Sequence, residues 1–556
     1  ADQMLVEVGR TGGDFVYLGY DSAGRPLSVR DSLTSVSFVY DSVGRPASIT
    51  GGNGETLTYD YASGTGPLVR TVTWKGTIGG GGGVFVHHDF DSDFRLSSES
   101  VNNQIGYTVS YGYDADSLLT QAGALTVARC GAPACGDQLQ AGCPNMNGSA
   151  SSGLIADTCI SSGTAKVTDT YTYNYFGEKA SYSSIYTSAS NQTSNLLNVV
   201  YDTGANPGRR DNLGRIAQKT ETIGNGSAFT YNYTYDKSGR LTDVTNGNTS
   251  VEHYAYDLNG NRTVATNSLN VPSALSSTPT YDAQDRLTNY PATSGAITFT
   301  YSAPGERMTR TVSGMTTKYT YDAFGNLLVV ILPNGTRIDY LVDGQNRRIG
   351  KMVNGTWVQG FIYGSQLGPV AELDGHNNVV SRFVYGTHAN VPDYIIRADG
   401  SIHRVITDHL GSVRQVVNVA DGTIDQHLEY DSFGNLLSSS TAYPTTPGVG
   451  GTWTAAFQPF GFAGGLYDPD TNLVRFGARD YDPQIGRWTT KDALGFRGGD
   501  TNVYAYAVND PINVSDPKGE AIYTQDFTAA LWLDDARQVP AFDAFYRMLD
   551  RDSTAN

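Results

Sequence analysis

Long hydrophobic runs are missing from this 556-residue chain. No stretch reaches eighteen apolar residues, so no membrane-spanning helix is expected. The first residues, ADQMLVEVGRTGG, lack the charged-then-apolar layout of a signal peptide and enter directly into repeat pattern. The expectation is a piece of a longer protein, with any export signal outside it. Basic residues are scarce too: 38 Lys and Arg stand against 55 Asp and Glu, a net charge of -17. That balance argues against broad binding to nucleic acid or to an anionic membrane. Familiar catalytic motifs are thin. The glycines from Gly79 to Gly83 are not followed by Lys-Ser/Thr, and they read as a flexible loop, not a phosphate cradle. No Gly-x-Ser-x-Gly elbow occurs. No cofactor is expected, and an enzyme acting on outside substrates is the weakest reading. Only four cysteines are present, Cys130, Cys135, Cys143 and Cys159, spaced C-x4-C-x7-C-x15-C. Zinc sites use closer pairs, so disulfides are the expectation. Disulfides would suit an exported protein. Their pairing is not set by the spacing.

What is plentiful is glycine and tyrosine. There are 64 Gly, and 36 Tyr outnumber 20 Phe, while hydrophobic residues reach only 39%. Low apolar content with many aromatics fits half-buried sheet better than a compact helical core. A unit Tyr-Asp-x-x-Gly-Arg recurs, as at Tyr20-Asp21 with Gly24-Arg25, Tyr40-Asp41 with Gly44-Arg45, and Tyr235-Asp236 with Gly239-Arg240. Tyr321-Asp322 and Tyr430-Asp431 carry Gly-Asn in place of Gly-Arg. Uninterrupted copies repeat at about twenty residues, the mark of a repeat architecture.

Local physics makes each unit a hairpin. Asp at i with Gly at i+3 is type I turn chemistry. The carboxylate accepts a backbone N–H two residues on, and Gly takes the left-handed position that closes a bulged hairpin. Arg after the Gly can lie over a Tyr of the next unit. One hairpin is not stable alone, so consecutive hairpins must pair edge to edge into a long antiparallel sheet. Three stretches interrupt the pattern: the glycine run, residues 121–168 with all the cysteines, and residues 436–456, rich in Ser, Thr, Pro and Gly.

Near the C-terminus the pattern changes. Asp408-His409-Leu410-Gly411-Ser412 precedes a dense stretch, Phe460 to Glu520. That stretch holds Arg479, Tyr481-Asp482-Pro483, Gly486-Arg487-Trp488, Asp492, Gly498-Gly499, Asn502, and Asp516-Pro517-Lys518-Gly519. It resembles the RHS-repeat-associated core that closes YD-repeat proteins, the bacterial Rhs toxins and the C component of insecticidal Tc toxins. The resemblance implies an all-β fold in which YD-repeat antiparallel hairpins spiral into a large hollow shell, or cocoon, capped by the core. It implies a structural role for the segment with His409, whose neighbours Asp408 and Ser412 are too close in sequence for a triad. It also implies an aspartic-type autoprotease, with Asp492 and Asp516 as the catalytic pair and one cut at Glu520–Ala521. Two carboxylates held close cannot both ionise, so one can act as acid and the other as base. Two departures lower the expected efficiency of cleavage: Glu520 stands where Leu is usual, and Ala493 where Pro is common.

The domain organisation expected is a YD-repeat shell over 1–385, the core and autoprotease cap over 386–520, and a tail over 521–556. The tail reads as the start of a variable passenger or a short remnant. Two functions follow. One is a secreted toxin-delivery shell that encloses its own C-terminal peptide, with an N-terminal capping or secretion-system partner outside this sequence. The other is a non-catalytic YD-repeat surface or adhesion protein, like wall-associated proteins or animal teneurins, in which the core is a structural cap.

Overall fold

The computed structural model describes residues 7–9, 15–62, 66–78, 80–102, 108–129, 153–202, 209–269, 274–437, 457–520 and 523–524. Cys130, Cys135, Cys143, Ala521 and the expected passenger apart from Tyr523 and Thr524 lie outside them. Among the described residues there is no α-helix; strands, turns and short 3-10 segments make up the fold.

The repeat unit closes on itself through four contacts. In the turn at Asp41, Oδ1 accepts the N–H groups of Val43 at 3.0 Å and Arg45 at 2.9 Å. Gly44 N–H returns to the Asp41 carbonyl, with φ +91° at the glycine. Oδ2 of Asp41 takes Arg45 Nε at 2.7 Å. The guanidinium then lies 4.0 Å over the Tyr61 ring, in the next unit. The Tyr61 hydroxyl donates at 2.7 Å to the carbonyl of Pro46, the residue after that arginine. The same tyrosine-to-carbonyl bond recurs at Tyr40, Tyr235, Tyr256, Tyr301 and Tyr363. Each unit is thus tied to the next by a ring contact and a hydroxyl, in addition to the ladder. Burial pushes the Tyr61 hydroxyl up to about 12, so it remains a donor at neutral pH. Tyr61→Phe keeps the ring and loses only the hydroxyl bond, so native-state hydrogen exchange at this turn should show a loss of about 1 kcal/mol.

Consecutive hairpins pair antiparallel into two long sheets. The first runs from Glu7 to Asn267 with 21 strands and the second from Thr280 to His427 with 15, among the described residues. The second sheet continues through residue 385 without a break. The glycine run departs from expectation: Gly80 to Gly83 open the strand Gly80–Phe90, paired to the strand before it through Gly76 and Gly80. Glycine suits that pairing, since a Cβ at Gly83 would stand 2.8 Å from Thr73 Cγ2 with φ at +74°.

The sheets pack against each other through the turns of the second. The turn at Ala323 and Phe324 covers Val16, Leu18, Phe38 and Ile49. Tyr394 bonds the backbone at Ala122 and Ala124. Phe433 meets Tyr254 edge on. Buried ion pairs span the junction, with Arg404 on Asp169 and both Arg414 Nη atoms on Glu221 at 2.9 and 2.6 Å.

Residues 457–520 form a small cap around a four-stranded sheet, Leu466–Asp468, Leu473–Phe476, Arg479–Asp482 and Arg487–Trp488. Its core is aromatic: Phe462, Phe476, Tyr481, Trp488 and Tyr506. Successive hairpin turns of both sheets converge on it. Asn513 bonds Ile216 and Tyr235, Asn502 bonds Asn259 and Asn261, and Arg487 bonds the Asp285 carbonyl. Tyr504 bonds the Gly305 carbonyl, and Arg475 reaches Asn326 and Asn346. Charge anchors it too: Arg307 on Asp482 at 2.6 Å, Arg348 on Asp480 at 2.8 Å and Lys351 on Asp468 at 2.8 Å.

Candidate functional site

Asp492 and Asp516 come together, although two dozen residues of chain separate them. Asp492 follows the last cap strand; its N–H donates to the Val503 carbonyl at 2.9 Å, and its Oδ1 accepts the Leu494 N–H at 2.7 Å. Asp516 opens the turn that presents Lys518, Gly519 and Glu520; its Oδ1 accepts the Glu520 N–H at 2.8 Å. The other oxygens converge on one atom. Arg479 Nη2 lies 2.7 Å from Asp492 Oδ2 and 3.0 Å from Asp516 Oδ2. All three side chains are buried, at 4% exposure for Arg479, 8% for Asp492 and 2% for Asp516.

Arg479 stands in the motif, but the sequence assigns it no part in the chemistry. It also changes the electrostatic picture. The pair is not two carboxylates facing each other alone, because a shared cation stands between them and offsets their repulsion. The guanidinium is itself fixed, lying 4.1 Å over the Trp488 ring. Nothing in a lone strand arginine signals such a role; its partners lie 13 and 37 residues further on in the chain.

The segment leading to Glu520 is held by its backbone. Ala478 N–H donates to the Lys518 carbonyl at 2.9 Å and Arg479 Nε to the Gly519 carbonyl at 2.5 Å. Gly519 has φ +68°, and a Cβ there would stand 2.6 Å from the Phe476 carbonyl oxygen. The Glu520 carbonyl oxygen and Asp492 Oδ2 flank one glycine: a Cβ on Gly498 would stand 3.1 Å from the first and 2.8 Å from the second. Glu520 is buried, at 6% exposure. The small pocket over the pair is lined by Arg479, Asp492, Gly498, Asn502, Val503 and Asp516. Among the described residues no cluster of His, Cys, Asp and Glu fits a metal.

The other singled-out residues sit elsewhere. His409 is buried against the Tyr201 ring, and its Nε2 donates at 2.7 Å to the Ile512 carbonyl of the cap. Burial pushes it down to about 4 against the pull of Asp408, so it is neutral at pH 7. Ser412 Oγ accepts the Ala463 N–H at 3.0 Å. Both residues join sheet to cap. Cys159 is disulfide-bonded; the three other cysteines lie outside the described residues. One further constellation has triad distances: Ser401 Oγ is 2.8 Å from His403 Nε2, and His403 Nδ1 is 2.7 Å from Asp425 Oδ2. Its serine hydroxyl is also held by Asp399 at 2.6 Å. The N–H groups of Gly400 and Ser401 are occupied by Arg397 and Asp399, so neither serves as an oxyanion donor.

Comparison with known proteins gives a consistent picture. The family model described as Teneurin YD-shell matches residues 166–512, more than half the chain, and the one described as RHS Repeat matches 20–56. Teneurin-3 of Danio rerio is 28% identical over 329 residues, covering 54% of this chain and 11% of that protein. The tRNA nuclease WapA of Bacillus subtilis is 27% identical over 221 residues, covering 38% of this chain and 9% of that protein. The chain therefore spans about a tenth of the length of these relatives. Among solved structures, a complex of TcdB2-TccC3-TEV is 16% identical with a TM-score of 0.43, covering 91% of this chain and 28% of that one.

Proposed function

The chain belongs to the teneurin YD-shell family, and from that premise we propose that it is an exported toxin-delivery shell that encloses its own C-terminal peptide and severs it once, after Glu520. The observation that carries this reading is the convergence of Asp492 and Asp516 on Arg479, with Asp516 holding the Glu520 N–H at 2.8 Å and the Glu520 carbonyl oxygen bordering the same glycine, Gly498, as Asp492. In the proposed step, Asp516 takes a proton from water as the water oxygen bonds the Glu520 carbonyl carbon. Protonated Asp492 donates its proton to the carbonyl oxygen, giving a neutral gem-diol. Asp516 then passes the proton it took to the leaving nitrogen of Ala521, while Asp492 takes a proton back from a diol hydroxyl as the carbonyl re-forms. The C–N bond breaks, leaving a carboxylic acid at Glu520 and an amine at Ala521. In this reading the cut has a purpose, because a passenger held inside a shell would stay there while losing its covalent tie. A partner at the open end of the repeat strip would govern its exit.

A second reading keeps the cap structural, as in a YD-repeat surface protein. The full pairing of both carboxylates with Arg479 favours it, since an ion cluster of this kind also holds a fold together. Intact mass under denaturing conditions separates the two. The wild type should break at Glu520–Ala521, and Asp492→Asn and Asp516→Asn should each remain whole. A whole wild type, with the cap folded, would leave the structural reading standing.

A further inference from the structure

We propose that Gly498 is a positioning residue for the cut: its missing side chain keeps open the space that the Glu520 carbonyl oxygen and the Asp492 carboxyl both border. This rests on the self-cleavage reading above.

Three glycines sit in the loop after Asp492. Gly495 and Gly499 have φ of +56° and +94°, so their reason is the backbone itself. Gly498 is different. Its φ lies outside the left-handed region, where an L residue is not strained. What forbids a side chain there is space alone. A Cβ would stand 2.8 Å from Asp492 Oδ2, 3.1 Å from Asp492 Cγ and 3.1 Å from the Glu520 carbonyl oxygen.

Neither neighbour is free to retreat. Asp492 is held through Oδ1 by Leu494 N–H and through Oδ2 by Arg479. Glu520 is held through its N–H by Asp516, and the carbonyl before it by Arg479 Nε. Added bulk at 498 must therefore widen the gap between acid and carbonyl while leaving the backbone conformation acceptable. A displacement of about 1 Å between reacting groups lowers a rate by about 100-fold. The neighbouring Gly499 looks identical in the sequence and has the opposite explanation.

The test is a time course of intact mass after cell-free synthesis of the full chain, for wild type, Asp492→Asn and Gly498→Ala, at several pH values. Gly498→Ala should cut about 100-fold more slowly, with a melting curve matching that of Asp492→Asn. Its rate–pH profile should also shift on the limb where the rate falls with rising pH, because the displaced carboxyl is the general acid. A merely weakened fold would instead lower the rate at every pH together. Cleavage at the wild-type rate in Gly498→Ala would overturn the proposal, as would a rate loss matched by equal loss of melting temperature. An uncut wild type, or Asp492→Asn cut like wild type, would sink the cleavage reading itself and this inference with it. If Gly498→Ala does not fold, Gly498→Ala with Asp492→Ala decides. Removing the carboxyl should restore folding, and a pair that stays unfolded would show that the contact is not what excludes a side chain.

Discussion

Arg479→Met should abolish cleavage and also loosen the cap, a double effect that neither aspartate variant should produce. Removing the guanidinium leaves two buried carboxylates facing each other with no cation between them. Stripping one partner from a buried ion cluster costs about 3–5 kcal/mol. It also frees the Gly519 carbonyl, which Arg479 Nε holds at 2.5 Å, so the segment to be cut loses an anchor. The reading that suits a chain of this size is native-state hydrogen exchange, which reports local opening rather than one global transition. Amides that tie the cap together, Trp488 to the Tyr504 carbonyl and Asp492 to the Val503 carbonyl, should exchange faster in Arg479→Met. Asp492→Asn in the Arg479→Met background should recover part of the loss, because it removes one of the two stranded charges. Arg479→Lys should keep more stability than Met. One ammonium cannot reach both Oδ2 atoms and the Gly519 carbonyl in the same fork geometry, so cleavage should still fail. Exchange unchanged in Arg479→Met would mean that the cluster contributes nothing to the fold.

Much of the fold was legible because the repeat chemistry is local. Asp41, Gly44 and Arg45 lie within five residues, and turn preference alone fixes what they do. The cation–π step from Arg45 to Tyr61 was also legible, since it spans only one unit. The tyrosine hydroxyl bond was not: its acceptor is a backbone carbonyl, and every residue has one. The glycine run misled for a related reason. Glycine marks freedom in the unfolded chain, yet Gly80 to Gly83 are held in a strand by their partners. In the site, the two aspartates were found through the motif they sit in, not through any spacing. Arg479 and Gly498 were in view as letters, but their roles depend on contacts formed across the cap. The joining of the two sheets was the least legible feature. Arg414 and Glu221 lie 193 residues apart, and neither sits in a pattern that points to the other.

That last pair carries the second large effect. Arg414→Met should open the junction between the strand Gln218–Ile223 and the strand Val413–Asn418, by about 3–5 kcal/mol, because Glu221 would remain buried with Lys219 as its remaining cation. The pH dependence gives the sign. Burial alone would raise the Glu221 carboxyl, but Arg414 and Lys219 overcome it and hold it well below the usual carboxylate range. A carboxyl lowered on folding stabilises the fold above its unfolded value, near 4.5, and that contribution is lost as pH falls through the folded value. Acid should therefore weaken this junction, and Glu221→Gln should flatten that limb while lowering stability at neutral pH. A neighbour in the same cavity runs the other way. Burial and Glu252 push Asp431 up to about 7. Its contribution is complete below its unfolded value, near 3.8, and is lost as pH rises through 7. Asp431→Asn keeps the Oδ1 acceptor for the Phe433 and Asn435 N–H groups and should flatten the neutral limb instead. Hydrogen exchange at the Leu428 amide, which donates to the Arg414 carbonyl, reads both limbs at the junction itself. If Glu221→Gln and Asp431→Asn flatten the same limb, the two carboxyls do not have the opposite charge preferences assigned to them here.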